Sequence, residues 1–235
     1  MTDRNFSRET RGCAAYGHGR RFRPFFFAAF ALLLGLAAPA QARTLRLVAL
    51  GDSLTAGYSL PADAAFPAQL QKALLEKGFQ VEIENAGVSG DTSSGALARL
   101  DWAVADGYDG VVVEIGANDM LRGMDPAMTR QNIAAIIKRL QERKIPVLLA
   151  GMRAAPNLGA DYAAKFDPLY AELAKKYDLP LYPFFLEGVA GHPDLQLPDG
   201  LHPTRQGVER IVAGILPVVT AWLDRLKDND NNSQK

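Results

Sequence analysis

The chain has 235 residues, with 26 Lys plus Arg against 26 Asp plus Glu, 48% hydrophobic residues and one cysteine. A single thiol excludes an intrachain disulfide framework, and the balanced charge lacks the basic excess that nucleic acid or an anionic membrane surface selects.

In chain order, the first 42 residues read as an export signal. Arg20, Arg21 and Arg23 precede an uncharged stretch from Pro24 to Pro39, and Ala40-Gln41-Ala42 supplies a small-x-small cleavage pattern. That stretch is 16 residues long, short of the roughly 20 needed to span a bilayer. Cleavage after Ala42 is therefore expected, with release into the periplasm or the medium and no transmembrane segment left; an uncleaved N-terminal anchor is the alternative. Arg20-Arg21 leaves both the general and the twin-arginine export routes open. Residues 43–235 carry 20 basic and 24 acidic residues and no cysteine, so cysteine catalysis is excluded from them. This part is one ordinary domain, long enough to bury roughly 70% of its unfolded surface.

Short apolar runs then alternate with amphipathic segments. Strands are expected at Leu45 to Leu50, Val81 to Glu84, Val111 to Ile115, Val147 to Ala150 and Leu181 to Tyr182. Between them, Phe66, Leu70, Ala73 and Leu74 mark one helix face, and Ile133, Ile136, Ile137 and Leu140 mark another. Asp167-Pro168 reads as an N-cap followed by proline at the first helical position, leading into Leu169, Leu173 and Tyr177. The last helix carries Val208, Ile211, Val212 and Ile215 before Pro217, which is expected to kink or restart it. The tail 228–235 is polar and expected to fray. Strands apolar on nearly every residue are buried on both faces, so the expected architecture is a three-layer α/β/α sandwich with a five-stranded parallel sheet.

In such sheets ligands bind beyond the carboxyl ends of the strands, and the chemically capable residues fall there. Ser53 follows the first strand, Gly87 to Asp91 the second, Asn118 and Asp119 the third, and Arg153 the fourth. Asp199 and His202 stand three positions apart near the chain's end. A hydroxyl, an imidazole and an acid are the parts a serine nucleophile requires, since the imidazole takes its proton and the acid fixes the imidazole's tautomer. Each part also has a plainer reading. Asp52 or Ser53 could cap the next helix, 85–91 could be a flexible loop, and Asn118-Asp119 could form an Asx turn. Asp52 itself is read as holding its turn by hydrogen bonding. Glu82 and Glu84 share a strand face and are taken as solvated, and His192 as a loop residue without a catalytic task. No Gly-x-Ser-x-Gly elbow, phosphate loop or His-Glu-x-x-His pattern occurs, and no metal or other cofactor is expected.

Gly51-Asp52-Ser53-Leu54, Ser89-Gly90-Asp91, Gly116-Ala117-Asn118-Asp119 and Asp199-Gly200-Leu201-His202-Pro203 resemble, in order, the four blocks of the flavodoxin-like SGNH (GDSL-type) hydrolases. Gly51 to Tyr58, Leu97-Ala98-Arg99-Leu100, Leu121-Arg122-Gly123 and Pro183-Phe184-Phe185 extend the similarity to the bacterial thioesterase I, lysophospholipase and arylesterase branch. The resemblance implies that Ser53 attacks the acyl carbonyl, His202 shuttles the proton and Asp199 orients His202. It assigns the oxyanion hole to the backbone N–H groups of Ser53 and Gly90 and the amide of Asn118.

The same likeness places Arg153, Pro156 and Asn157, in the loop 153–162, beside the substrate, as a mobile wall rich in Gly and Pro. Met120 and Leu121 would face a medium acyl chain. The expected activity is hydrolysis of short- to medium-chain esters and thioesters, lysophospholipids included, by a monomer acting on small-molecule or lipid esters and not on nucleic acid. A carbohydrate acetylesterase is the alternative enzyme, and a non-catalytic binding domain the alternative class.

Overall fold

The computed structural model describes residues 43–233, so the expected signal segment 1–42 lies outside the described residues. Five strands form one parallel sheet in the order β2-β1-β3-β4-β5: β1 (Leu45–Gly51), β2 (Val81–Gly87), β3 (Gly110–Glu114), β4 (Val147–Ala150) and β5 (Leu181–Tyr182). β1, β3 and β4 are central and apolar on both faces, with Leu47, Val48, Leu50, Val111 to Val113, Leu148 and Leu149 fully buried. β2 is solvated on the face that carries its two glutamates, as expected. It is an edge strand, paired only with β1, and its Glu82 and Glu84 are exposed, with the Tyr108 hydroxyl donating to Glu84.

The helices, in chain order, are α1 (Ser53–Ala56), α2 (Phe66–Glu76), α3 (Ser93–Ala98), α4 (Leu100–Ala103), α5 (Ala117–Leu121), α6 (Pro126–Glu142), α7 (Ala160–Phe166), α8 (Leu169–Tyr177) and α9 (Arg205–Ser233). α2 packs with α9 in one layer, and α6 with α3 and α8 in the other, giving the three-layer sandwich. The expected faces are the buried ones: Phe66, Leu70 and Leu74 in α2, and Ile133, Ile136, Ile137 and Leu140 in α6.

Two helix expectations are corrected. Asp167 does not cap α8, because its carboxylate accepts the backbone N–H of Ala154 at 2.8 Å instead; α8 begins after Pro168 without a side-chain cap. Nor does the helix restart at Pro217: α9 is one helix with the proline inside it, and it runs on to Ser233 through most of the segment expected to fray. Val208, Ile211 and Ile215 before the proline, and Val219, Trp222 and Leu223 after it, are buried. Their packing outweighs the one backbone bond that proline forfeits, and the polar last turns continue on a helix already nucleated.

Sheet register sets up the site. Gly51 pairs with Gly87 on one side and Glu114 on the other; Glu114 pairs with Ala150, and Ala150 with Tyr182. The carboxyl ends of all five strands are therefore level, and the loops that leave them start from one line about 19 Å long at the usual strand spacing. Strand order reverses between β1 and β3, where such sheets open a crevice.

Candidate active site

Ser53 is the first residue of α1, immediately beyond β1. Asp52 caps that helix, its Oδ1 accepting the N–H of Leu54 at 3.0 Å. The capping reading of this segment thus holds for Asp52 and leaves the Ser53 hydroxyl free of that task. The turn is tight, since a Cβ on Gly51 would lie 2.1 Å from the Thr55 hydroxyl.

His202 arrives from a sequence distance of 149 residues, and its Nε2 stands 2.8 Å from Ser53 Oγ. Its Nδ1 stands 2.7 Å from Asp199 Oδ2. Asp199 Oδ1 accepts the N–H groups of Leu201 and His202 at 2.9 and 3.0 Å. Desolvation raises this carboxyl, but the two backbone donors and the His202 ring outweigh it and hold the pKa down at about 2. Asp199 is therefore an acceptor throughout the neutral range. Gln196 braces the same loop by donating to Gly200 O at 2.6 Å and accepting from Gly191 N at 3.0 Å.

Gly90 and Asn118 converge on this point, lining one cleft with Ser53 and His202. Gly90 has φ +81°, left-handed backbone that favours glycine. Its carbonyl is held by Arg122 Nη2 at 2.8 Å. Neither the Ser53 nor the Gly90 N–H is matched with a protein acceptor among the described residues. Asn118 Nδ2 donates to Asp91 O at 2.9 Å and to Asp52 Oδ2 at 3.1 Å. Asp91 is fixed in turn by Arg99, whose Nε meets its Oδ2 at 2.7 Å while Nη2 donates to Gly51 O at 3.0 Å. Asp119 makes no Asx turn: it accepts Ser93 N at 2.8 Å and Thr129 Oγ1 at 3.2 Å, tying α5 to α3 and α6.

Two buried acids, Asp52 and Glu114, lie close to Ser53. Burial pushes Asp52 up to about 6, opposed by its bonds to Leu54 and Asn118 and by the charge of His202. Glu114 is fully buried and pushed well above the usual carboxyl range, first by desolvation and then by the charge of Asp52. Its Oε2 accepts the Thr55 hydroxyl at 2.8 Å, and its Oε1 has no partner among the described residues. Burial and the neighbouring Asp52 charge both favour the protonated form of Glu114.

The cleft measures about 490 Å³. Met120, Leu121, Arg153 and Pro156, expected beside the substrate, all line it, together with Met152, Phe184 and Leu186. Asn157 does not. It sits exposed on a 3₁₀ turn, Pro156–Leu158, whose Leu158 packs on the core and turns Asn157 outward. Nor is the 153–162 wall a bare loop, because Asp167 holds Ala154 N and the Tyr162 hydroxyl donates to Met124 O at 2.9 Å. The Arg153 guanidinium lies over the Phe184 ring at 5.0 Å and 3.8 Å from Glu187. Residue patterns gave no role to Tyr58, whose ring centre lies 4.3 Å from that of His202, to Glu114, or to the bracing arginines Arg99 and Arg122. Tyr58, Arg99 and Arg122 fall in the family-like blocks without a role attached, and the signal for Glu114 was a lone charge closing the apolar run Val111-Val112-Val113-Glu114. His192 is exposed in its loop.

A doubly wound parallel sheet with a Ser–His–Asp relay at its switch point defines a serine hydrolase. Residues 49–210 match the GDSL-like Lipase/Acylhydrolase family; the chain belongs to that family and is a carboxylic ester hydrolase. Esterase TesA of Pseudomonas aeruginosa is 38% identical over 184 residues, 78% of this chain and 92% of that protein. Thioesterase 1/protease 1/lysophospholipase L1 of Escherichia coli K12 is 41% identical over 160 residues, 68% of this chain and 76% of that one. The crystal structure of AlinE4, an SGNH-hydrolase family esterase, matches with a TM-score of 0.65 at 48% identity, covering 77% of this chain and 97% of that one.

Proposed function

We propose that the chain hydrolyses short- to medium-chain carboxylic esters and thioesters through an acyl-enzyme on Ser53. The observation that carries this is the relay Asp199–His202–Ser53, with contacts of 2.7 and 2.8 Å, opening into a cleft walled by Met120, Leu121, Met152 and Phe184. His202 takes the Ser53 proton as Oγ attacks the acyl carbon. The carbonyl oxygen, now negative, meets the Ser53 and Gly90 N–H groups and the Asn118 amide. Collapse expels the alkoxide or thiolate, which the imidazolium protonates. Water, deprotonated by His202, then attacks the acyl-enzyme, and collapse releases the acid and returns the proton to Ser53.

The names of the relatives support esters and thioesters as substrates, lysophospholipids among them. The signal-like segment 1–42 supports export to the periplasm or medium, with the esterase acting there as a monomer. No helix of the described residues is long and apolar enough to cross a membrane.

A chain-length series of p-nitrophenyl esters tests the substrate reading. Each methylene buried in the cleft contributes about 0.8 kcal/mol, so kcat/KM is expected to climb about fourfold per carbon until the cleft is filled and then level off. Turnover confined to acetylated sugars would overturn it.

A further inference from the structure

We propose that Asp52 is a positioning residue that aims the Asn118 amide at the developing oxyanion, a role that rests on the esterase reading above. Asp52 is wholly buried, although it caps a helix of only four residues. A cap alone does not call for a carboxylate, since serine, threonine or asparagine caps as well without burying a charge. What the site demands is two acceptors and no donor. Oδ1 takes the Leu54 N–H at 3.0 Å, and Oδ2 takes the Asn118 amide at 3.1 Å. Serine would reach only the first. Asparagine would cap with its oxygen and turn its own NH₂ against that of Asn118.

The second acceptor matters because an asparagine side chain can rotate its amide end for end, exchanging donor for acceptor. With Asp52 Oδ2 and Asp91 O both facing Nδ2, the flipped orientation would set three oxygens against each other. The amide end is therefore fixed, with nitrogen and not oxygen between these two acceptors, before substrate arrives. The oxyanion then competes as a third, stronger acceptor for the same two N–H bonds.

A double-mutant cycle with Asp52→Asn and Asn118→Ala on p-nitrophenyl butyrate tests the role. Asp52→Asn is expected to lower kcat by about 10² with KM within about twofold, the size of losing one oxyanion donor. The double variant should fall no further than Asn118→Ala alone, because both changes remove the same donor. Asp52→Ser keeps the Leu54 cap, removes the acceptor for Asn118 and should show the same pattern. It carries the test if Asp52→Asn does not fold. A double-variant loss equal to the product of the single losses, or wild-type kcat in Asp52→Ser, would overturn the proposal. A second readout does not depend on turnover: the Asn118 side-chain NH₂ protons, assigned by their disappearance in Asn118→Ala, should exchange with solvent faster in Asp52→Ser than in wild type. Unchanged exchange would also overturn the proposal. Absence of ester turnover by the wild type would instead fault the esterase reading, leaving the exchange result to decide Asp52.

Discussion

Glu114 closes a strand that is otherwise apolar, and its carboxyl lies beneath the turn that presents Ser53, bonded to the Thr55 hydroxyl at 2.8 Å. Desolvation keeps it protonated in the folded protein at pH values where an unfolded glutamate has lost its proton. The native state then binds more protons than the unfolded chain, so raising the pH above about 4.5 weakens folding. Asp52, raised to about 6, adds to this slope below its own titration. Glu114→Gln keeps the acceptor for Thr55 and removes the proton uptake. Chemical denaturation from about pH 5 to about pH 8 should show wild type losing stability relative to this variant, by up to about 1.4 kcal/mol per pH unit. Parallel curves would show that Glu114 folds as a carboxylate. The relay residues were legible because a serine at a strand end and an Asp-x-x-His pair are local patterns. Glu114, Arg99 and Tyr58 were not, because their roles depend on partners between 48 and 144 residues away that only the fold brings together.

At the scale of elements, hydrophobic pattern located every strand, and β4 and β5 to the residue. What failed was the reading of isolated polar and proline residues. Asp167 has the composition of a helix cap, yet a loop N–H 13 residues away claims its carboxylate. Pro217 has the chemistry of a helix breaker, yet α9 continues because both of its flanking turns are anchored in the core. Long-range packing overrules local propensity in each case. Pro217→Ala restores a backbone N–H to a helix already anchored on both sides by buried neighbours. It should stabilise the protein by on the order of 2 kcal/mol, the interior proline penalty less the unfolded-state entropy that proline removes. A urea midpoint shifted upward would agree; a lowered one would show that α9 depends on the ring's own packing.

For the molecule as a whole, parallel pairing with level strand ends is what turns residues scattered along the chain into one site. Gly51, Gly87, Glu114 and Ala150 stand in one row, and the loops leaving it bring Ser53, Gly90, Asn118 and Arg153 to one cleft. The strand-helix alternation made this architecture readable, but register across the sheet has no signature in single residues, so the bracing of Asn118 by Asp52 and Asp91 could be found only in the folded chain. The central claim is that Ser53 is a nucleophile activated by His202. Its most direct measurement is the mass and position of the adduct formed by a fluorophosphonate. One phosphonyl group on Ser53 is predicted, formed at least about a thousandfold more slowly in His202→Ala. No adduct, an adduct on another residue, or an undiminished rate in His202→Ala would contradict it.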